Sequence, residues 1–96
     1  MPTYVVLAKL TQQGVQDAKE IPKRRQQGKD VAKELGITFR DSWLTMGKYD
    51  VVFVLDAPDD ATMAKYALRV GMQGNLSTQT LRAFTDSEAD AIISGL

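Results

Sequence analysis

The chain has 96 residues, its twelve lysines and arginines balance twelve acidic residues, and it contains neither histidine nor cysteine. Neutrality argues against nucleic-acid binding through a broad basic face and against attraction to an anionic membrane. Without cysteine there is no disulfide framework, thiolate nucleophile or zinc knuckle, and without histidine the commonest general base and most transition-metal ligand sets are gone.

A length of this order fits a single domain over residues 1–96. No apolar run approaches the roughly 20 residues that cross a bilayer. Met1-Pro2-Thr3-Tyr4 leads directly into strand-like sequence with no charged leader, so the expected location is the cytoplasm. No metal and no cofactor is expected. An enzyme built on this chain would work with carboxylates, tyrosines, lysines, arginines and hydroxyls, or with a borrowed cofactor.

Tyr4 to Leu10 is β-branched and almost wholly apolar, which predicts a buried strand. Thr11 to Gly14 reads as a polar turn. A helical stretch follows, interrupted by Pro22 and resumed to about Leu35, with Pro22 suited to a first helical position and Gly36 to the position after the last. Ile21, Gly28, Val31, Ala32 and Leu35 recur at helical spacing and predict one narrow buried stripe.

Ile37 to Met46 predicts a second strand with an irregular phase. Ile37, Phe39 and Trp43 share one face with Asp41 between them, which a bulge near Asp41-Ser42 repairs. Met46 to Asp50 supplies a glycine-containing hairpin turn, and Tyr49 to Leu55 a third strand apolar on both faces. Asp59 and Asp60 open a second helix at the positive end of its dipole. In that helix Ala61, Ala64, Ala67, Leu68 and Gly71 form a face of mostly small residues that predicts close packing on a sheet. Gly74-Asn75 ends it, Leu76 to Thr85 is a fourth strand, and Thr85 with Glu88 forms a capping-box pattern before a short terminal helix carrying Ala89, Ile92 and Ile93.

The order is β-α-β-β-α-β with a helical tail, which predicts an α+β, ferredoxin-like antiparallel sheet with helices on one face. In that arrangement the first and third strands are central, and they are the two runs apolar in both phases. Val5, Leu7, Val51, Phe53 and Leu55 fall in one phase, and Val6, Ala8, Val52 and Val54 in the other. Two helices cover one face, so the other is expected to meet a second copy of the chain.

Leu44-Thr45-Met46-Gly47-Lys48-Tyr49-Asp50-Val51-Val52, followed by Asp56-Ala57-Pro58-Asp59-Asp60, resembles the GYD-domain family. Pro2 to Leu7, Pro22-Lys23-Arg24 and Gly74 to Thr85 resemble it too, so the likeness spans nearly the whole chain. The name-giving element is present as Gly47, Tyr49 and Asp50, with Lys48 interposed. The family is similar to dimeric α/β-barrel proteins, and the resemblance implies a ferredoxin-like homodimer.

Four groups of residues are candidates for function. Asp50, sharing a strand phase with Val52 and Val54, is a candidate acid or base, or else a turn cap accepting backbone N–H groups. Tyr49 and Tyr4 are candidate hydrogen-bond donors in a pocket, or core tyrosines with one satisfied bond. Lys23, Arg24 and Arg25 occupy a helix first turn, where cations oppose the dipole and point to an anion; Asp30 and Glu34 are placed to neutralise Lys33 and Lys29. Trp43 with Met46, Met63 and Met72 can wall a ligand cavity or pack a core. The glycines form no phosphate-binding pattern.

Two functions follow. One is a non-enzymatic homo-oligomeric module that binds a small organic molecule or serves as an accessory or regulatory subunit. The other, by analogy with dimeric α/β-barrel monooxygenases and isomerases, is a cofactor-independent enzyme using Asp50 and Tyr49 on a small apolar substrate.

Overall fold

A computed structural model describes residues 1–96. The elements are β1 (Thr3–Leu10), α1 (Gln12–Gln16), a 3-10 turn (Ala18–Glu20), α2 (Ile21–Glu34), β2 (Thr38–Leu44), β3 (Val51–Asp56), α3 (Asp60–Met72), β4 (Leu76–Ala83) and α4 (Asp86–Ser94). The sheet order is β2-β3-β1-β4 and every neighbouring pair is antiparallel. The fold is α+β and ferredoxin-like, with the two doubly apolar strands at its centre.

The register assigns the two faces. Val6 lies opposite Phe53, Tyr4 opposite Leu55, and Ala8 opposite Val51. These residues face the helices, where Tyr4, Val6, Ala8, Phe53 and Leu55 are buried with Ala32 of α2 and Met63 and Tyr66 of α3. Val5 pairs with Val54 and Leu7 with Val52, and these four form the opposite, outer face. The even phase of β1 therefore joins the odd phase of β3, a cross-strand match that alternation within each strand cannot supply.

Three local expectations are corrected. Thr11 does not sit in a turn: its hydroxyl caps α1 by accepting the Gly14 N–H at 3.1 Å. Gly14 itself is buried against the residue preceding β4, where a Cβ would collide with the Asn75 carbonyl oxygen. The β2 bulge falls at Arg40, one residue before the expected site, because Phe39 pairs with Leu55 and Asp41 with Val54. That extra residue flips the strand, so Phe39, Ser42 and Leu44 face the helices while Asp41 and Trp43 face outward. In α3 the residues Ala61, Ala64, Leu68 and Gly71 are exposed, and the helix instead presses Met63, Tyr66, Ala67 and Val70 toward the sheet. Large side chains filling the space under a twisted sheet outweigh close approach by small ones.

The helix ends follow the sequence. Pro22 lies in the first turn of α2, and Gly36, at φ 74°, takes the left-handed conformation just beyond its end. The Asp59 side chain caps α3 by accepting the Thr62 N–H and hydroxyl at 2.8 and 2.7 Å. Thr85 and Glu88 complete the capping box of α4. No helix is long and apolar enough to cross a membrane.

Candidate functional site

A cavity of about 550 Å³ opens between the helix-facing side of β2 and β3 and the nearby turns of α2 and α3. Its floor is aromatic: the Phe39 and Phe53 rings stack with centroids 5.7 Å apart, and Tyr66 meets Phe53 edge-on at 6.5 Å. The Tyr66 hydroxyl donates to the Gly28 carbonyl at 3.1 Å, an approach that the missing Gly28 side chain leaves open. Burial pushes the Tyr66 phenol up from 10.0 to about 12, so it remains a neutral donor.

The rim has the opposite character. Arg24, Arg25 and Lys29 of α2 and Arg40 of β2 border the cavity, against a single carboxylate, Asp41. Arg24 is held by Asp17 at 3.6 Å and by the Gly14 carbonyl, and Arg40 lies 3.6 Å from Asp56. Asp41 is already accepting the Ser42 N–H at 2.9 Å. Arg25 and Lys29 have no ion-pair partner, and the Lys29 ammonium stands 5.6 Å from the centre of the Phe39 ring. The expected neutralisation along α2 does not occur. Asp30 accepts from Gln26 at 3.1 Å, and Glu34 reaches across to Arg69 of α3 at 3.5 Å. In the cavity wall the buried Oδ1 of Asn75 has no hydrogen-bond partner.

Only some of the residues singled out by sequence meet here. Arg24 and Trp43 border the cavity, although pairing with Val52 directs the Trp43 ring to the outer face, where the residue is 49% exposed. Lys23 lies in a shallow polar hollow with Asp17 and Glu20. Met63 is core, whereas Met46 and Met72 are 98% and 82% exposed, and none of the three lines the cavity.

The other candidates serve three separate places. Tyr4 is buried beneath the start of α3 and donates to the Asp60 carboxylate; burial, then that carboxylate, raise its phenol to about 12. Tyr49 donates to Gln79 Oε1 at 2.9 Å, and Gln79 pairs with Leu7 of the outer face. The Asp50 carboxylate accepts the Leu10 N–H at 2.8 Å. Its own backbone N–H donates to Ala8 and its carbonyl accepts from Thr45, each at 2.8 Å, which fastens the ends of β1, β2 and β3 together. Capping by Asp50 is thus directed at a neighbouring strand instead of its own turn.

Sequence reading missed the aromatic floor. Phe39, Phe53 and Tyr66 come from three elements, and only their packing makes one surface of them. The spacing of Tyr66 and Val70, four residues apart on α3, is the signal that marks the covering face.

A second surface lies on the other side of the sheet. Trp43, Val52 and Leu7 form one row across it, and Val54, Val5 and Leu81 the next. No helix covers these rows. Polar groups surround them, including Asp41, Gln79 and the Thr3 hydroxyl bonded to Asp56 at 2.7 Å. Beyond the end of β4, α4 has no extensive packing on any other element, and its Ile92 and Ile93 are exposed. Its charged residues are Asp86, Glu88 and Asp90, and no lysine or arginine follows Arg82.

A curated relative from Thermus thermophilus is 32% identical over 84 residues, covering 86% of this chain and 88% of that protein. That relative is named glutamine synthetase and cystathionine beta-lyase binding protein. The family model described as GYD domain matches residues 4–93, which takes in all of the sheet but Thr3, the cavity and most of α4. The chain belongs to the GYD domain family.

Proposed function

We propose that this chain is a non-enzymatic accessory module, paired with a second copy through the outer sheet face and holding a small organic ligand in the cavity on the other side. The observation that carries the reading is the outer face of the central strands. Val5, Leu7, Val52 and Val54 there lack any covering element, and a soluble protein rarely leaves such a surface in water. Exposed Ile92 and Ile93 of α4 add apolar surface for the same association. Because the cavity opens on the helix-bearing side, pairing leaves it accessible.

The accessory role draws on the relative named for binding two enzymes. By that likeness this chain docks on a glutamine synthetase or a cystathionine beta-lyase, in the manner of a regulatory subunit in the cytoplasm. The alternative, an enzyme using Asp50 and Tyr49, has no observation in its favour. Asp50 is engaged with Leu10, Tyr49 with Gln79 and Tyr4 with Asp60, and none of the three lines the 550 Å³ cavity.

Native mass spectrometry of protein gently purified from its source cells tests the pairing and the ligand together. A dimer carrying a small adduct is the expected result, and a bare monomer at micromolar concentration overturns both parts. Sedimentation of the purified protein with purified glutamine synthetase tests the accessory role; independent sedimentation at every ratio rejects that partner.

A further inference from the structure

We infer that the cavity takes an apolar carboxylate, a molecule whose aryl or branched alkyl body lies on the aromatic floor while its anionic group meets Arg25 and Lys29. The inference rests on the proposed ligand-binding role and names the chemical class of that ligand. Four observations carry it.

The volume, about 550 Å³, suits a small organic molecule, since ligand sites commonly enclose several hundred Å³. The floor of Phe39, Phe53 and Tyr66 offers stacked and edge-on ring contacts to an apolar body and no charge to repel it. The charge at the rim is lopsided, with four cations to one carboxylate on a chain whose total charges cancel. The two cations without an acidic partner, Arg25 and Lys29, lie one turn apart on α2, where like charges repel unless an anion stands between them. A guanidinium matches a carboxylate through two parallel hydrogen bonds, and an ammonium adds a third donor.

Asn75 lies in the same wall. Its side-chain oxygen is buried in the cavity wall with no partner, a costly state for a polar atom. A carboxylate has no proton to offer that oxygen, so a water or hydroxyl donor answers it and the ligand's charge is decided by the rim cations alone. A wholly apolar ligand leaves Arg25 and Lys29 without an anion. A small inorganic anion leaves the aromatic floor in water. A molecule with both parts meets the floor and the cationic rim together.

The test is titration of the full chain, freed of any adduct, with 4-phenylbutyrate, with the neutral alcohol 4-phenylbutan-1-ol and with inorganic phosphate. Binding is read by calorimetry and by amide shifts at Gly28, Val51 and Val70, which border the cavity. The acid is expected to bind at least tenfold more tightly than the alcohol, to shift those three amides, and to lose that advantage in Arg25→Gln/Lys29→Gln. This exposed pair of substitutions is checked for an unchanged fold by circular dichroism. Equal affinity for acid and alcohol overturns the anionic class and leaves the ligand-binding role standing. Phosphate binding as tightly as the acid overturns the need for an apolar body. No shift at the three amides with any of the compounds overturns the ligand-binding role itself.

Discussion

The Tyr66 hydroxyl and the Gly28 carbonyl, 3.1 Å apart, tie α3 to α2 at the wall of the cavity. The bond joins residues 38 apart in sequence beside the aromatic floor. Tyr66→Phe keeps the ring and removes the donor. It should lower stability by about 1 kcal/mol, the usual net worth of one such bond, as read from urea unfolding. A loss below a few tenths shows that water replaces the hydroxyl without cost.

The same residue predicts an alkaline limit. Tyr66 and Tyr4 are both raised from 10.0 to about 12 in the fold, so each holds its proton more tightly folded than unfolded. Their contribution is complete below pH 10.0 and declines as the pH rises toward 12, because the unfolded chain releases those protons first. Unfolding midpoints measured across that interval should fall, and fall less steeply in Tyr66→Phe. A flat profile contradicts the burial of both phenols.

Gly14 offers a sharper test of packing. With its Cα against the Asn75 carbonyl, it has no room for a methyl group. Gly14→Ala should destabilise the fold by about 2 kcal/mol or more, since neither backbone can yield without breaking the Thr11–Asn75 hydrogen bond beside it. Gly71→Ala, at an open position on α3, should be neutral or slightly stabilising. Similar denaturation midpoints for the two variants contradict the close approach.

Asp50→Asn weakens the acceptor that holds the Leu10 N–H and should cost about 1 kcal/mol of stability. The expected changes in proton chemical shift are at Leu10 and its neighbours at the end of β1. Full retention of stability together with loss of an enzymatic activity would instead restore Asp50 to a chemical role.

The outer face predicts a contrast between adjacent residues. Val52→Lys puts an ammonium on the uncovered side and should give a folded monomer by light scattering. Phe53→Lys puts one into the core and should not fold, because an unpaired charge there has no partner. The one tryptophan reports on the same event: Trp43, beside Val52, should emit at longer wavelength in the Val52→Lys monomer than in the parent protein. Two species of equal mass and equal emission would remove the paired sheet.

Much of this architecture is legible in the order of residues. The doubly apolar runs around Val6 and Val52 place the two central strands, and Thr85 with Glu88 marks the start of α4 before any packing is known. What escapes is the relation between elements. Alternation along β1 and along β3 tells which residues share a side of each strand, but only the register of Val6 against Phe53 decides which sides coincide. The bulge at Arg40 resisted for the same reason, since an extra residue is defined by its partner strand. The small residues of α3 misled because spacing cannot distinguish a face that fits closely from a face that is left outside. The cavity was half visible: the cations of α2 form a pattern in sequence, whereas the rings of Phe39, Phe53 and Tyr66 become neighbours only in space.

α4 carries three carboxylates and no cation, whereas Arg25 and Lys29 stand at the cavity rim without an acidic partner. That rim lies at the end of the sheet near Leu10 and Leu44, while α4 leaves from the other end, next to Arg82. Removing α4 therefore does more than shorten the chain. It turns a protein that migrates as nearly uncharged into a cation at neutral pH. Contacts between α4 of one molecule and the cationic rim of another should weaken as salt screens them over about 10 Å at 0.1 M, although the net charge is zero.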